Sequence, residues 1–181
     1  MKQLNQYRLS CAQKQKRGLH FILASVIIWS MISFVYLSSL PILTKNLFTF
    51  ICTGSLLPIS FLISKIINVD FQNKENPLSN VGFLFSMNQL PYLLIAMWIY
   101  PTIPEKMIMV ITIIFGAHLL PFSWLYKSKI YLIFSIIIPL LALIIGLSFA
   151  PAVLSMIMIG VELSFCVLLS LENKNLNFTN N

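Results

Sequence analysis

Residues 130–171 read IYLIFSIIIPLLALIIGLSFAPAVLSMIMIGVELSFCVLLSL, and Glu162 is the one charged side chain among them. A helix rises 1.5 Å per residue and a bilayer's hydrocarbon core is about 30 Å thick, so one crossing takes about 20 mainly apolar residues. The stretch holds two crossings, 130–149 and 151–171, with Pro151 at the reversal. Glu162 costs about 2.5–3.5 kcal/mol on insertion scales, whereas each surrounding Leu, Ile, Val or Phe contributes about −0.3 to −0.6 kcal/mol, so the segment still inserts.

Working toward the N-terminus, the same length rule finds four more crossings, at 19–40, 46–66, 81–100 and 107–125. The third is the weakest, because it carries Asn88, Gln89 and Pro91. The expected fold is all-α: a polytopic bundle of six transmembrane helices over 19–171. A basic segment (1–18) precedes it and a polar tail (172–181), read as disordered, follows it. Composition agrees, with 58% hydrophobic and only 9% charged residues in 181 and a mean hydropathy of +0.87. A soluble domain carries about 25% charged residues, and a chain this short cannot hide so much apolar surface in a private core. A soluble enzyme and a disordered chain are both excluded.

The net charge of +7 does not point to nucleic acid, since no basic run is interleaved with stacking aromatics. Lys2, Arg8, Lys14, Lys16 and Arg17 precede the first crossing. With the N-terminus inside, the inner segments hold these five with Lys65, Lys74, Lys127, Lys129 and Lys174, and the outer segments hold only Lys45 and Lys106. That bias predicts both termini in the cytoplasm of a cell membrane. The first apolar run is longer than the roughly 7–15 residues of a signal-peptide core and no small-residue cleavage site ends it, so it reads as an uncleaved span. Tyr36, Trp98 and Tyr100 are expected at the outer interface, and Trp124, Tyr126 and Tyr131 at the inner one.

Residues 54–62 (GSLLPISFL) resemble 116–125 (GAHLLPFSWL), and Gly160-Val161-Glu162-Leu163 is a fainter echo. Pro41, Pro101 and Pro151 each open an outer turn, which suggests three repeated helical hairpins. Pro58, Pro91, Pro121 and Pro139 lie inside spans and are expected to kink them. Such broken helices bind substrate at mid-depth in transporters, but they also serve plain packing.

An ionisable group within the bilayer is a functional hypothesis by default. His118 lies nine residues before Lys127 and Glu162 ten before Glu172, so helical rise sets both about 14 Å above the inner boundary. Asn88 and Gln89 fall at nearly the same level, and the four form a candidate polar layer able to relay a proton. The structural alternative is interhelical hydrogen bonding alone, worth about 0.6 kcal/mol per bond. Ser25, Trp29 and Ser33 share one helix face, as do Ser155, Glu162 and Cys166, and both stripes should face the bundle interior. Ala142, Gly146 and Ala150 permit close helix approach, within the chain or with a second copy. His20 reads as an interfacial side chain.

Metal ligands are too few for a closed site, Cys11, Cys52 and Cys166 form no disulfide framework, and no cofactor motif appears. An intramembrane enzyme is disfavoured, because one Glu and one His without a nucleophile make a thin active site. The stretches GAHLLPFSWLYK (116–127), KQKRGLHFILAS and FQNKENPLS resemble a family of small uncharacterised bacterial multi-pass membrane proteins. The resemblance implies the bacterial inner membrane and supplies no catalytic residues. Two readings follow: a small permease with a small-molecule or ion substrate, or a non-catalytic scaffold, accessory subunit or toxin-immunity-type protein.

Overall fold

The structure, a computed structural model, describes residues 2–71 and 76–178, without the side chains at 89–90 and 175–178. The described elements are all helical. An N-terminal helix α1 (Lys2–Lys14) leads through a short 3-10 turn (Lys16–Gly18) into α2 (Leu19–Leu37). There follow α3 (Ile42–Gly54), α4 (Leu56–Ile66), α5 (Leu78–Met87), α6 (Gln89–Thr102), α7 (Met107–His118), α8 (Leu120–Leu125), α9 (Lys129–Ser148) and α10 (Pro151–Phe178). Joined end to end, these give six helical stretches long and apolar enough to cross a membrane: Lys16–Leu37, Ile42–Ile66, Leu78–Thr102, Pro104–Leu125, Lys129–Ser148 and Pro151–Lys174. The third has the lowest mean hydropathy, 1.3 against 2.8 for the fifth, and is also the least buried. The chain is therefore a multi-pass membrane protein. Its outward side chains are those of a lipid-facing surface, with Phe34 79% and Ile66 78% exposed, a cost in water that acyl chains do not impose.

Three spans are broken. The α3–α4 joint falls at Ser55, three residues before Pro58; the α5–α6 joint at Asn88, three before Pro91; and the α7–α8 joint at Leu119, two before Pro121. In each case the proline ring removes a backbone donor and crowds the carbonyl one turn earlier. Pro139 does not interrupt its helix, and α9 runs unbroken through it. There the neighbouring helix closes in: a Cβ on Gly116 of α7 would lie 2.5 Å from Pro139 Cδ. The stretches 54–62 and 116–125 thus both contain a joint, but Gly54 and Gly160 face open space where Gly116 is pressed against α9.

The bundle is seamed by α2 against α10 and by α7 against α9, with α4 packed on α2 and α6 on α7. The two polar stripes face inward and meet along the first of these seams: Ser25, Trp29, Ser33, Ser155, Glu162 and Cys166 are all buried. Ala142 and Gly146 are buried as well, and Gly146 faces Met109 of α7. That pair of small residues serves packing within the chain.

One end of the bundle carries α1, the segment after α4, the turn between α8 and α9, and the polar end of α10. Arg17 knots them together. Its Nη1 donates to the Glu172 carbonyl (2.8 Å), its Nε to the Tyr126 carbonyl (3.3 Å), and the same nitrogen lies 3.6 Å from the Glu172 carboxylate. Tyr131 Oη donates to the Arg17 carbonyl (2.9 Å) and Asn173 Nδ2 to that of Lys16 (2.9 Å). The backbone reverses here through three consecutive left-handed residues, Lys16, Arg17 and Gly18 (φ 44°, 50° and 71°). A conformation costing about 1–2 kcal/mol per non-glycine residue is held in place by those bonds. The tail read as disordered continues α10 to Phe178. At the opposite end Asn46 Nδ2 donates to Pro104 O (3.0 Å), Lys45 Nζ to Tyr36 O (3.1 Å) and Lys106 Nζ to Gly146 O (2.7 Å). Trp98 and Trp124 are exposed at the ends, but Tyr36, Tyr126 and Tyr131 are not part of an interfacial belt. Each turns inward and spends its hydroxyl on a buried acceptor.

Candidate functional site

The three broken spans converge. Between α2, the α3–α4 joint, the α5–α6 joint and the α7–α8 joint lies a partly open cavity of about 250 Å³. Thr53, Gly54 and Leu56 line it from the second span, Ser86 and Met87 from the third, and His118, Leu119 and Phe122 from the fourth. The walls are predominantly apolar and rich in aromatic rings, including Phe21, Phe50 and Phe115. A concave apolar site with a few convergent polar groups is the form small-molecule sites take.

The opening follows from the packing. Helix α4 is seated on α2, and α5 on α8 and α1, and among the described residues no packed seam joins α4 to α5. Leu56 and Leu57 on one side of that gap and Ser86 and Met87 on the other belong to the cavity wall. The cavity is partly open, and its wall residue Leu57 is half exposed.

Among the described side chains of the expected layer, His118 lines this cavity. It ends α7, is half-buried, and bonds through Nδ1 to the Phe115 carbonyl at 2.6 Å. A carbonyl only accepts, so Nδ1 carries the hydrogen and Nε2 of the neutral ring is an acceptor. Phe115 and Phe122 hold the ring at centroid distances of 5.6 and 5.9 Å.

Glu162 lies elsewhere. It is fully buried in the α2–α10 seam, where Ser25 Oγ hydrogen-bonds its Oε2, and its Oε1 has no partner. Ser25 Oγ also lies 2.7 Å from the Ile22 carbonyl. One hydroxyl hydrogen cannot serve both acceptors, so both contacts are bonded together only when the carboxyl brings a proton of its own. No hydrogen bond among the described residues joins Glu162 to His118. Phe165, three residues beyond Glu162, packs edge-on against the cavity residue Tyr131 at 4.9 Å.

Asn88 is exposed at the α5–α6 joint and Gln89 begins α6; the Gln89 side chain lies outside the described residues. Among the described side chains, Glu162 sits in the α2–α10 seam, His118 on the cavity wall and Asn88 at an exposed joint. Equal depth fixes height along the bundle axis but not the direction a side chain faces. Of the proline positions, Pro58, Pro91 and Pro121 belong to the joints around the cavity, and Pro139 packs under Gly116. No group of three or more potential metal ligands occurs among the described residues, and the three cysteines are buried and unpaired.

Sequence reasoning missed two features. His20 is completely buried beside the Phe21 and Phe71 rings, and neither ring nitrogen is bonded among the described residues. Its cover comes from the polar segment after α4, which no periodicity places. Tyr126 and Tyr131 also line the cavity. Burial holds the Tyr126 phenol above its usual range, so it stays protonated and keeps its bond to Gln15 Oε1 (2.9 Å).

Against this geometry, comparison with known proteins gives one finding. A model of a family of unknown function, DUF7010, matches residues 4–172, and the chain belongs to that family. No curated protein and no solved structure matches it.

Proposed function

We propose that this member of the DUF7010 family is a small permease-type membrane protein whose substrate occupies the cavity at the three helix joints. The observation that carries the reading is the convergence of three interrupted spans on one partly open apolar cavity, the arrangement by which transporters build sites at depth. Its place is a bacterial cytoplasmic membrane with both termini inside. Support comes from the cation bias, since only Lys45 and Lys106 fall in segments of the end opposite the termini. In this reading Glu162 locks the first span to the last and His118 meets the substrate. The test is flux from proteoliposomes loaded with a panel of small organic molecules. At least one should leave faster than from protein-free liposomes, and Leu57→Trp, which fills the gap between α4 and α5, should abolish the difference.

The second reading is a non-transporting scaffold, accessory or toxin-immunity-type protein, and the fully buried Ser25–Glu162 contact favours it. It predicts no flux for any panel member. Loss of the cellular phenotype would then follow deletion of α1 but not Leu57→Trp.

A further inference from the structure

The polar side chains around the cavity share a property that narrows the ligand. Each has already committed its hydrogen to the protein. Thr53 Oγ1 donates to the Phe50 carbonyl (3.0 Å), Ser86 Oγ to Gly82 (3.1 Å), Tyr126 Oη to Gln15 (2.9 Å), Tyr131 Oη to Arg17 (2.9 Å) and His118 Nδ1 to Phe115 (2.6 Å). What these side chains leave for a guest is lone pairs, and His118 Nε2 is a whole acceptor without a partner. Among the described residues no Lys or Arg side chain lines the wall.

From this we infer the chemical class of the ligand: an apolar molecule headed by a hydrogen-bond donor, a hydroxyl or an amine, that reaches the cavity sideways from the bilayer. The inference rests on the cavity being the binding site. A carboxylate, phosphate or ether head would find no free side-chain hydrogen among the described wall residues and would leave His118 Nε2 unsatisfied. Size follows from volume. A 150 Å³ apolar cavity holds benzene, so about 250 Å³ suits a body of about ten heavy atoms. The route follows from the wall residue Leu57, which is half exposed on the second span, and from the lack of a packed α4–α5 seam among the described residues, so the ligand partitions into lipid before it binds.

The test uses three probes of one shape in nanodiscs containing the full chain: 2-naphthol (donor), 2-methoxynaphthalene (acceptor only) and 2-naphthoate (anion). Binding is measured by equilibrium dialysis, with the signal of empty discs subtracted. The expected order places 2-naphthol about five- to tenfold tighter than 2-methoxynaphthalene, the worth of one hydrogen bond, with 2-naphthoate weakest. His118→Phe, which keeps the aromatic packing, should equalise the first two. Ser86→Ala, far less demanding on the fold, should leave the preference for 2-naphthol intact. Naphthoate binding as well as naphthol, or an unchanged preference in a folded His118→Phe protein, overturns the donor class while leaving the cavity as a site. Failure of every probe to bind above empty discs, with the same result in Leu57→Trp, overturns the cavity reading too.

Discussion

His20 presents two unbonded ring nitrogens to a cluster of phenylalanines. A buried polar group without a partner costs about 1–3 kcal/mol, so His20→Phe should raise thermal stability in detergent; a lower melting temperature would mean that the ring is bonded. Glu162→Gln should change 2-naphthol affinity by less than about twofold, because the carboxyl lies in the α2–α10 seam and not in the cavity wall; a tenfold loss measured by dialysis would return it to the site. Cys11 is completely buried, and burial pushes its thiol above the usual value. Since thiolate is the reacting form, maleimide should fail to label Cys11 at neutral pH until the protein is denatured, as mass spectrometry would record. At this scale the sequence was informative about which side chains are unusual and silent about their neighbours. His118 and Glu162 stand out as ionisable groups in apolar spans, and their heights follow from helical rise. Whether they face each other depends on which helices are adjacent, and the first span proved to be the partner of the sixth.

The helices themselves were the most legible feature, because length and hydropathy decide them. All six crossings occur within a few residues of the expected bounds, and even the third, with its amides and proline, is present. Proline marks where a helix loses a bond, but the consequence depends on the environment: three spans come apart near their prolines, and α9 stays whole where Gly116 brings α7 against it. That contact makes a sharp prediction. Gly116→Leu must push α7 away from Ile138 and Pro139 and should destabilise the bundle by about 3 kcal/mol, at the upper end of overpacking costs. Loss of the folded peak in size-exclusion chromatography, or a drop of several degrees in melting temperature, checks it. Gly160→Leu, which meets open space, should have little effect on either.

For the molecule as a whole, α1 and the far end of α10 meet at the end where Arg17 ties them to the α8–α9 turn. Reporter fusions at residues 1 and 181 should therefore give the same compartment, fluorescent as green fluorescent protein and inactive as alkaline phosphatase; opposite results would refute six crossings. Arg17→Leu removes those contacts, leaves Glu172 without its cation and should cost about 3 kcal/mol of stability. The knot could not be read from composition. Lys16 and Arg17 look like ordinary inner-leaflet anchors, and only the left-handed turn at Lys16–Gly18 aims the Arg17 guanidinium into the bundle.

The seam between first and last helices also fixes an order of events. Ser25 and Glu162 are separated by 137 positions along the chain, so at a synthesis rate of about 5–20 residues per second the serine waits on the order of ten seconds for its partner to leave the ribosome. Throughout that interval Ser25 has the Ile22 carbonyl of its own helix as a partner, and only the arrival of the final segment brings the carboxyl that completes the seam.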